Sequence, residues 1–160
     1  MTVQRPLVFL DASILVAASC SEFGSSAIAM EVFRAREMRV AVTGRVLQEA
    51  VANIAEKFGE AELARSYQQV ARLKPEIVPV APPDRIAELA PLTDPRDAHV
   101  LASALLCQAV YLFTLSARPT FADVLDAGFT LAVVSPRDFL RATGEDPPSF
   151  WRPSPSKFSG

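Results

Sequence analysis

The sequence predicts an α/β protein with a mostly parallel sheet. Short apolar segments alternate with longer segments of helical periodicity along the 160-residue chain, and this alternation is typical of βαβ units. The short segments carry almost no polar residues, as expected of strands that are buried on both faces. Half of the residues are hydrophobic, so the chain is long enough to form one compact domain.

Five segments are predicted to be strands. They are residues 7–10, 39–42, 77–80, 110–115 and 131–134. Each is short and nearly all apolar, and each is separated from the next by at least one segment with helical periodicity. This order of elements supports the α/β class.

The segments between the strands are predicted to be helices. Thr43 caps a long helix that Gly59 ends or kinks, and Pro75 stops the next one. Ser135 and Pro136 begin the last helix at "SPRD". The helix that Pro75 stops covers about 60–73, and the other predicted helices cover about 12–18, 27–37, 84–90 and 95–108. One domain over residues 1–143 is expected, followed at 144–160 by a Pro-rich, flexible tail anchored by Phe150 and Trp151.

Charge and cysteine content exclude several classes of protein. The formal net charge of −2 gives no overall basic field of the kind that marks many nucleic-acid binders, and the basic residues between Arg34 and Arg45 are interpreted as a solvated edge. Cys20 and Cys107 have no C-x-x-C spacing and no nearby histidine, so they predict neither a zinc site nor a disulfide. We expect a soluble cytoplasmic protein without a membrane partner.

Acidic residues follow or precede three of the predicted strands. Asp11 ends "LVFLD", at the carboxyl edge of the sheet where ligands bind in open α/β folds. Glu49 lies on the helix after the second strand, and Asp97 precedes the fourth. Three converging carboxylates repel one another unless a cation neutralises them, and Mg²⁺ prefers such oxygen ligands.

Each acidic residue also has a structural interpretation. "DPRD" and "SPRD" share the same helix-starting pattern, so capping alone explains Asp94 and accounts for Asp97. Asp11 can cap a short helix, and Glu49 can be an ordinary surface residue. His99 lies two residues beyond Asp97, roughly 160° around a continuous helix, which disfavours a ligand role. A receiver or a D-x-D phosphatase is unlikely, because the required neighbouring acids are missing.

Four segments together resemble the PIN domain, a metal-dependent ribonuclease fold found in VapC-type toxins. They are "VFLDASILVAA", "VLQEAVANI", "DPRDAHVLASALLCQAVYLFT" and "LAVVSPRDFL". The resemblance spans about residues 7–141, and their order and spacing are specific although no single motif is. It implies a three-layer α/β/α fold with a parallel sheet of order 3-2-1-4-5. It also implies hydrolysis of RNA phosphodiester bonds with Mg²⁺ or Mn²⁺.

The resemblance assigns the metal-binding and catalytic positions to Asp11, Glu49 and Asp97, with Asp94 as a possible accessory. It further implies a toxin held inactive by an antitoxin protein that covers the acidic cleft, and a homodimer. The lone small domain is compatible with a toxin. Arg45 and Arg118 are candidate contacts to RNA phosphates.

One position departs from the family pattern. Ser116 stands where these proteins usually carry a fourth acidic residue after the fourth strand. Ser116 could hydrogen-bond a ligand water, and Asp123 could approach from the next segment. Ser13 and Thr43 lie near the same edge, although capping is the simpler role of Thr43. The departure keeps open an alternative, in which a PIN-like module without turnover binds RNA or a protein partner.

Overall fold

The fold is built on a five-stranded parallel sheet. The computed structural model describes residues 5–144, and the strands lie in the order β3-β2-β1-β4-β5. Their bounds are β1 Leu7–Leu10, β2 Arg39–Thr43, β3 Glu76–Val78, β4 Tyr111–Phe113 and β5 Ala132–Val134. The expected α/β class and the expected strand order are both confirmed.

Eight α-helices accompany the strands in the described part of the chain: seven lie between strands, and the last follows β5. They are α1 Ala12–Cys20, α2 Ser25–Ala35, α3 Gly44–Lys57, α4 Glu60–Leu73, α5 Pro83–Leu89, α6 Ala98–Leu106, α7 Phe121–Asp126 and α8 Pro136–Thr143. One group of packed helices comprises α1 to α4 together with α8, and α5 packs against α6. Every residue of β1 is buried, so the central strand is covered on both faces, as a three-layer fold requires.

The register of the sheet brings distant residues to one edge. Phe9 of β1 is paired with Ala41 of β2 and with Leu112 of β4, and Leu10 is paired with Phe113. Because the strands are parallel, the residues that follow them lie side by side at the carboxyl edge. This edge therefore holds Asp11 beside the segment that follows β4.

Three aromatic rings join the sheet to two helices. Phe33 of α2, Phe113 of β4 and Phe139 of α8 have ring centroids 4.9 to 5.3 Å apart. Phe33 and Phe113 are fully buried. Edge-on and tilted ring pairs add to the stability that burial alone provides, so this cluster anchors α2 and α8 to the sheet.

Some predicted elements differ from the observed ones. The helix expected over 95–108 is a 3₁₀ turn, Pro95–Asp97, followed by α6. Helix α7 was not predicted, and a further 3₁₀ turn covers Ala90–Leu92. The fourth strand ends before Leu115, which is 52% exposed. In β3, Ile77 is 59% exposed because the strand lies at the edge of the sheet.

Within residues 5–144, no single helix is long and apolar enough to cross a membrane. Only the bent pair α1 and α2 passes that test, by length and composition, with an angle of 106° between the two helices. Of the expected tail at 144–160, residues 145–160 lie outside the described residues, and Phe150 and Trp151 are among them.

Candidate active site

Asp11 is a buried carboxylate held by two hydroxyl groups. It stands at the N-cap position of α1 but makes no side-chain capping hydrogen bond, so the capping interpretation is wrong. Instead, its Oδ2 accepts a hydrogen bond from Ser13 Oγ at 2.9 Å and one from Thr114 Oγ1 at 2.7 Å. The side chain is thereby fixed at the carboxyl edge of β1, and both hydrogen bonds use one oxygen.

The segment after β4 links Asp11 to the second acidic residue. Thr114 Oγ1, which donates to Asp11, accepts a hydrogen bond from the backbone N–H of Ser116 at 3.0 Å. The hydroxyl of Ser116 then donates to Asp97 Oδ2 at 3.2 Å. The backbone N–H of Leu115 donates to Ser13 Oγ at 3.1 Å. This Thr114–Ser116 segment therefore connects the two carboxylates through its own hydrogen bonds.

Asp97 is half-buried at the start of α6, and its side chain makes no capping hydrogen bond. Burial raises the pKa of the Asp97 carboxyl, and the negative charge of Asp11 raises it further. The hydrogen bond from Ser116 opposes this rise. The ionised form of Asp97 is therefore disfavoured, first by burial and then by the neighbouring carboxylate of Asp11.

Asp97→Asn should stabilise the metal-free protein at pH 7. A carboxyl whose pKa is higher in the folded than in the unfolded chain destabilises the fold when it is ionised, and this cost is absent below the unfolded pKa of about 4. Urea unfolding in EDTA should therefore show a gain at pH 7 that shrinks as the pH falls. The control is Asp138→Asn, which changes the exposed aspartate of "SPRD". An equal gain at pH 4 and pH 7 would contradict the electrostatic cause.

Glu49 lies on α3 between a cation and a buried imidazole. Arg45 Nε is 3.4 Å from Glu49 Oε1, one helical turn away, and the Arg45 side chain is 49% exposed. His99 Nε2 is 2.9 Å from the same oxygen, and the His99 side chain is 1% exposed. This contact lacks the direction of a hydrogen bond, and neither ring nitrogen has a hydrogen-bond partner among the described residues. Burial lowers the pKa of His99, and the Glu49 charge opposes that shift.

His99 is expected on a different face of the helix from Asp97, and the structure places its imidazole against Glu49 of α3. The chain is not one continuous helix there, because a 3₁₀ turn, Pro95–Asp97, precedes α6. The suggestion that Asp123 approaches the site is wrong. Asp123 forms a capping box with Thr120 at the start of α7.

Asp94 and Thr43 have the structural roles that were favoured for them. Asp94 Oδ1 accepts a hydrogen bond from the backbone N–H of Arg96 at 3.0 Å. The Arg96 guanidinium beside it lowers the pKa of the Asp94 carboxyl. The hydroxyl of Thr43 accepts from the backbone N–H of Val46 at 3.1 Å and so caps α3. Arg118 is exposed and donates to the backbone carbonyl of Pro91 at 2.9 Å.

The arrangement suits a hard divalent cation at the Asp11–Asp97 pair. Mg²⁺ is commonly held by one or two carboxylates, with water and substrate phosphate completing its shell. Oδ1 of Asp11 takes part in neither hydroxyl contact, and burial together with the charge of Asp11 raises the pKa of Asp97, which a bound cation would lower. In the described residues, no group of three or more Asp, Glu, His or Cys side chains is close enough to enclose an ion. The structure thus brings Asp11 and Asp97 together, while Glu49 contacts Arg45 and His99.

Thr114 is the site residue that sequence reasoning missed. It lies within the predicted fourth strand and was given no role at the site, yet its hydroxyl contacts Asp11 and the backbone of Ser116. A buried threonine directly after an apolar strand is the available signal, because a buried hydroxyl needs a partner. Thr114 is 6% exposed, and Asp11 provides that partner.

Comparison with known proteins points to one family. The PIN domain model matches residues 7–117, and no curated protein matches the chain significantly. VapBC2 from Rickettsia felis, whose crystal structure contains a DNA fragment from its promoter, aligns with a TM-score of 0.60 and 16% identity, over 81% of this chain and 98% of that chain. PAE2754 from Pyrobaculum aerophilum aligns with a TM-score of 0.56 and 17% identity, over 87% and 96%. At such identities the likeness is one of fold.

Proposed function

Because the chain belongs to the PIN domain family, we propose that it is a metal-dependent ribonuclease that hydrolyses RNA phosphodiester bonds. The observation that carries this proposal is the pairing of Asp11 and Asp97 at the carboxyl edge of the sheet. Burial and the charge of Asp11 raise the pKa of Asp97, and a cation bound beside the pair would favour the ionised form of Asp97. A perturbed carboxyl at this edge of an α/β sheet is a common mark of a functional site.

Asp11 and Asp97 would hold Mg²⁺ or Mn²⁺, and Glu49 would be the third acidic residue of the site. When bound, such an ion supplies positive charge that polarises a phosphate and makes a water molecule a better nucleophile. Asp94, an exposed cap, would be at most an accessory. The carboxylates bind and orient; none of them is proposed to attack the phosphate.

The hydroxyl groups around the pair would keep its geometry fixed. Ser13 and Thr114 donate to Asp11, and Ser116 donates to Asp97. A carboxylate that is already oriented loses less conformational freedom when it binds a ligand. Ser116 therefore contributes orientation at the position where the family pattern has a charge, and the site carries one negative charge fewer.

The substrate would reach this edge past exposed arginines. Arg118 is exposed, although one of its guanidinium nitrogens donates to the backbone carbonyl of Pro91, and Arg45 pairs with Glu49. Both remain candidates for phosphate contacts, because an exposed ion pair exchanges readily for a phosphate. Arg96 is 88% exposed beside Asp94 and is a third candidate.

We further propose that the protein is the toxin of a toxin–antitoxin pair. The similarity in fold to VapBC2 supports this assignment, and the acidic edge offers a place for an antitoxin arginine, since guanidinium groups bind carboxylates with two parallel hydrogen bonds. We also propose that the protein forms a homodimer. Light scattering measures the mass in solution: the protein alone should have the mass of a dimer, and the product of a neighbouring small gene should add to that mass if it is the antitoxin.

A second candidate function is a PIN-like module that binds RNA or a protein without turnover. Ser116 in place of an acid favours it, as does the absence of a three-acid group in the described residues. This alternative predicts RNA binding, or a shift of the melting temperature with Mn²⁺, without cleavage. The nuclease predicts both the shift and the cleavage.

The test is cleavage of a mixed RNA pool with Mg²⁺, with Mn²⁺ and with EDTA. Asp97→Asn should lower the rate about 100-fold, because one group that stabilises charge is lost. Asp138→Asn is the matched control, since "SPRD" shares its pattern with "DPRD" but lies on α8, and it should cleave like the native protein. Cleavage that persists in EDTA, or no cleavage with either metal, would contradict the nuclease assignment.

A further inference from the structure

We propose that His99 is a positioning residue that holds Glu49 at the edge of the acidic site, an inference that rests on the proposed nuclease function. His99 Nε2 is 2.9 Å from Glu49 Oε1. The imidazole is 1% exposed, whereas the Glu49 side chain is 36% exposed. The buried ring is thus the fixed partner, and the glutamate is the mobile one.

The burial of His99 is costly, which argues against a role in packing alone. Neither ring nitrogen has a hydrogen-bond partner among the described residues. A buried polar group without a partner destabilises a protein, and most such groups in native structures have an identifiable reason. A leucine or methionine would fill the same volume without this cost. The contact with Glu49 is what an imidazole provides there and an apolar side chain does not.

Arg45 cannot hold Glu49 by itself. Its side chain is 49% exposed, and its Nε lies 3.4 Å from Glu49 Oε1. Ion pairs between exposed side chains on one helix are weak and mobile, because both groups are solvated and retain several conformations. His99 approaches the same oxygen from α6, on a different element. Two contacts from α3 and α6 restrict the carboxylate more than the helical pair alone.

A neutral imidazole has the donor that this role requires. With its proton on Nε2, the ring points its one N–H toward Glu49 and leaves Nδ1 as an acceptor. A small rotation of the Glu49 carboxylate converts the 2.9 Å contact into a hydrogen bond. The charge of Asp11 also acts on His99, so the imidazole lies within electrostatic range of two of the proposed acidic residues. His99 would act through Glu49 and would not touch the substrate.

The test is the affinity of the full-length protein for Mn²⁺, measured by isothermal titration alongside cleavage. His99→Leu removes the donor and keeps the volume, and it should weaken Mn²⁺ binding about 10- to 100-fold, the usual effect of losing the group that orients a ligand. His99→Gln places an amide nitrogen near the Nε2 position and should recover most of the affinity. Val100→Ala, a buried truncation on the same helix, controls for loss of stability and should bind Mn²⁺ like the native protein.

A double-mutant cycle separates positioning from general damage. If His99 acts through Glu49, His99→Leu should add little to Glu49→Gln, because the group that it orients is already altered. Additive losses, or equal losses in His99→Leu and His99→Gln, would overturn the inference. If His99→Leu does not fold, His99→Asn replaces it, since its amide is too short to reach the Nε2 position.

The outcomes also separate this inference from the proposed function. A native protein that neither binds Mn²⁺ nor cleaves RNA overturns the nuclease and the role of His99 with it. A native protein that does both, while His99→Leu binds Mn²⁺ as tightly, leaves the nuclease standing and refutes the positioning role.

Discussion

Asp11→Asn should remove Mn²⁺ binding and lower RNA cleavage about 1,000-fold. Asp11 is the most buried of the proposed acidic residues, and its negative charge acts on the pKa of Asp97 and on the pKa of His99. Asp11→Asn removes a charge that would hold the cation. The expected loss of rate therefore lies at the upper end of the range that is usual for removing one group that stabilises charge in the transition state. Rates of RNA cleavage and Mn²⁺-dependent thermal melts measure both effects.

The substitution should leave the fold intact. An asparagine oxygen at the position of Oδ2 still accepts from Ser13 and Thr114, and the repulsion of Asp97 disappears. The metal-free melting temperature should therefore be unchanged or higher, while the rise caused by Mn²⁺ is lost. A large drop in the metal-free melting temperature would mean that Asp11 is a structural residue, and cleavage at the native rate would exclude it from the site.

Phe33→Ala should destabilise the protein by about 3–5 kcal/mol, the cost of truncating a fully buried aromatic ring. The ring packs against Phe113 and Phe139 at centroid distances of 4.9 and 5.3 Å, so its loss opens a cavity between α2, the sheet and α8. This is a large part of the stability of an ordinary domain, which is about 5–15 kcal/mol. The free energy of unfolding in urea measures it.

Phe121→Ala is the matched control for the aromatic cluster. Phe121 begins α7, is 46% exposed and belongs to none of the three ring pairs. Its truncation should cost less than about 1 kcal/mol, as is usual for surface substitutions. Similar losses for Phe33→Ala and Phe121→Ala would mean that the buried cluster is not the main support of these elements.

The order of apolar and amphipathic segments was enough to predict the fold class and the approach of Asp11 to Asp97. The fold class follows from the alternation itself, and the approach of the two acids follows from the carboxyl edge of a parallel sheet, where strand ends and the starts of the following helices lie together. The order 3-2-1-4-5 came from the family resemblance, because local periodicity does not determine which strands are neighbours. The sequence alone did not predict the contact of His99 with Glu49, since the two residues lie on different helices, α6 and α3, and local patterns do not determine how these helices are placed.

The role of Thr114 depends on contacts that no local pattern contains. Its partner Asp11 lies 103 residues earlier, and such a pairing is visible only once the register of β1 and β4 is known. Helix α7 is a different case, because Thr120 and Asp123 form a local capping pattern that could have been recognised. Asp123 was instead considered as a replacement for the missing acid.

Because the Thr114–Ser116 segment supplies hydrogen bonds to the acidic site, the site can form only after this segment has been synthesised. Asp11, Ser13 and Glu49 leave the ribosome early. Thr114, which donates to Asp11, lies 103 residues after it, and Leu115, whose backbone N–H donates to Ser13, lies 102 residues after Ser13. A nascent or truncated chain that stops before β4 carries the acidic residues without the strand that brings them to one edge. Assembly of the site is therefore a late event in synthesis, and incomplete copies of the protein lack it.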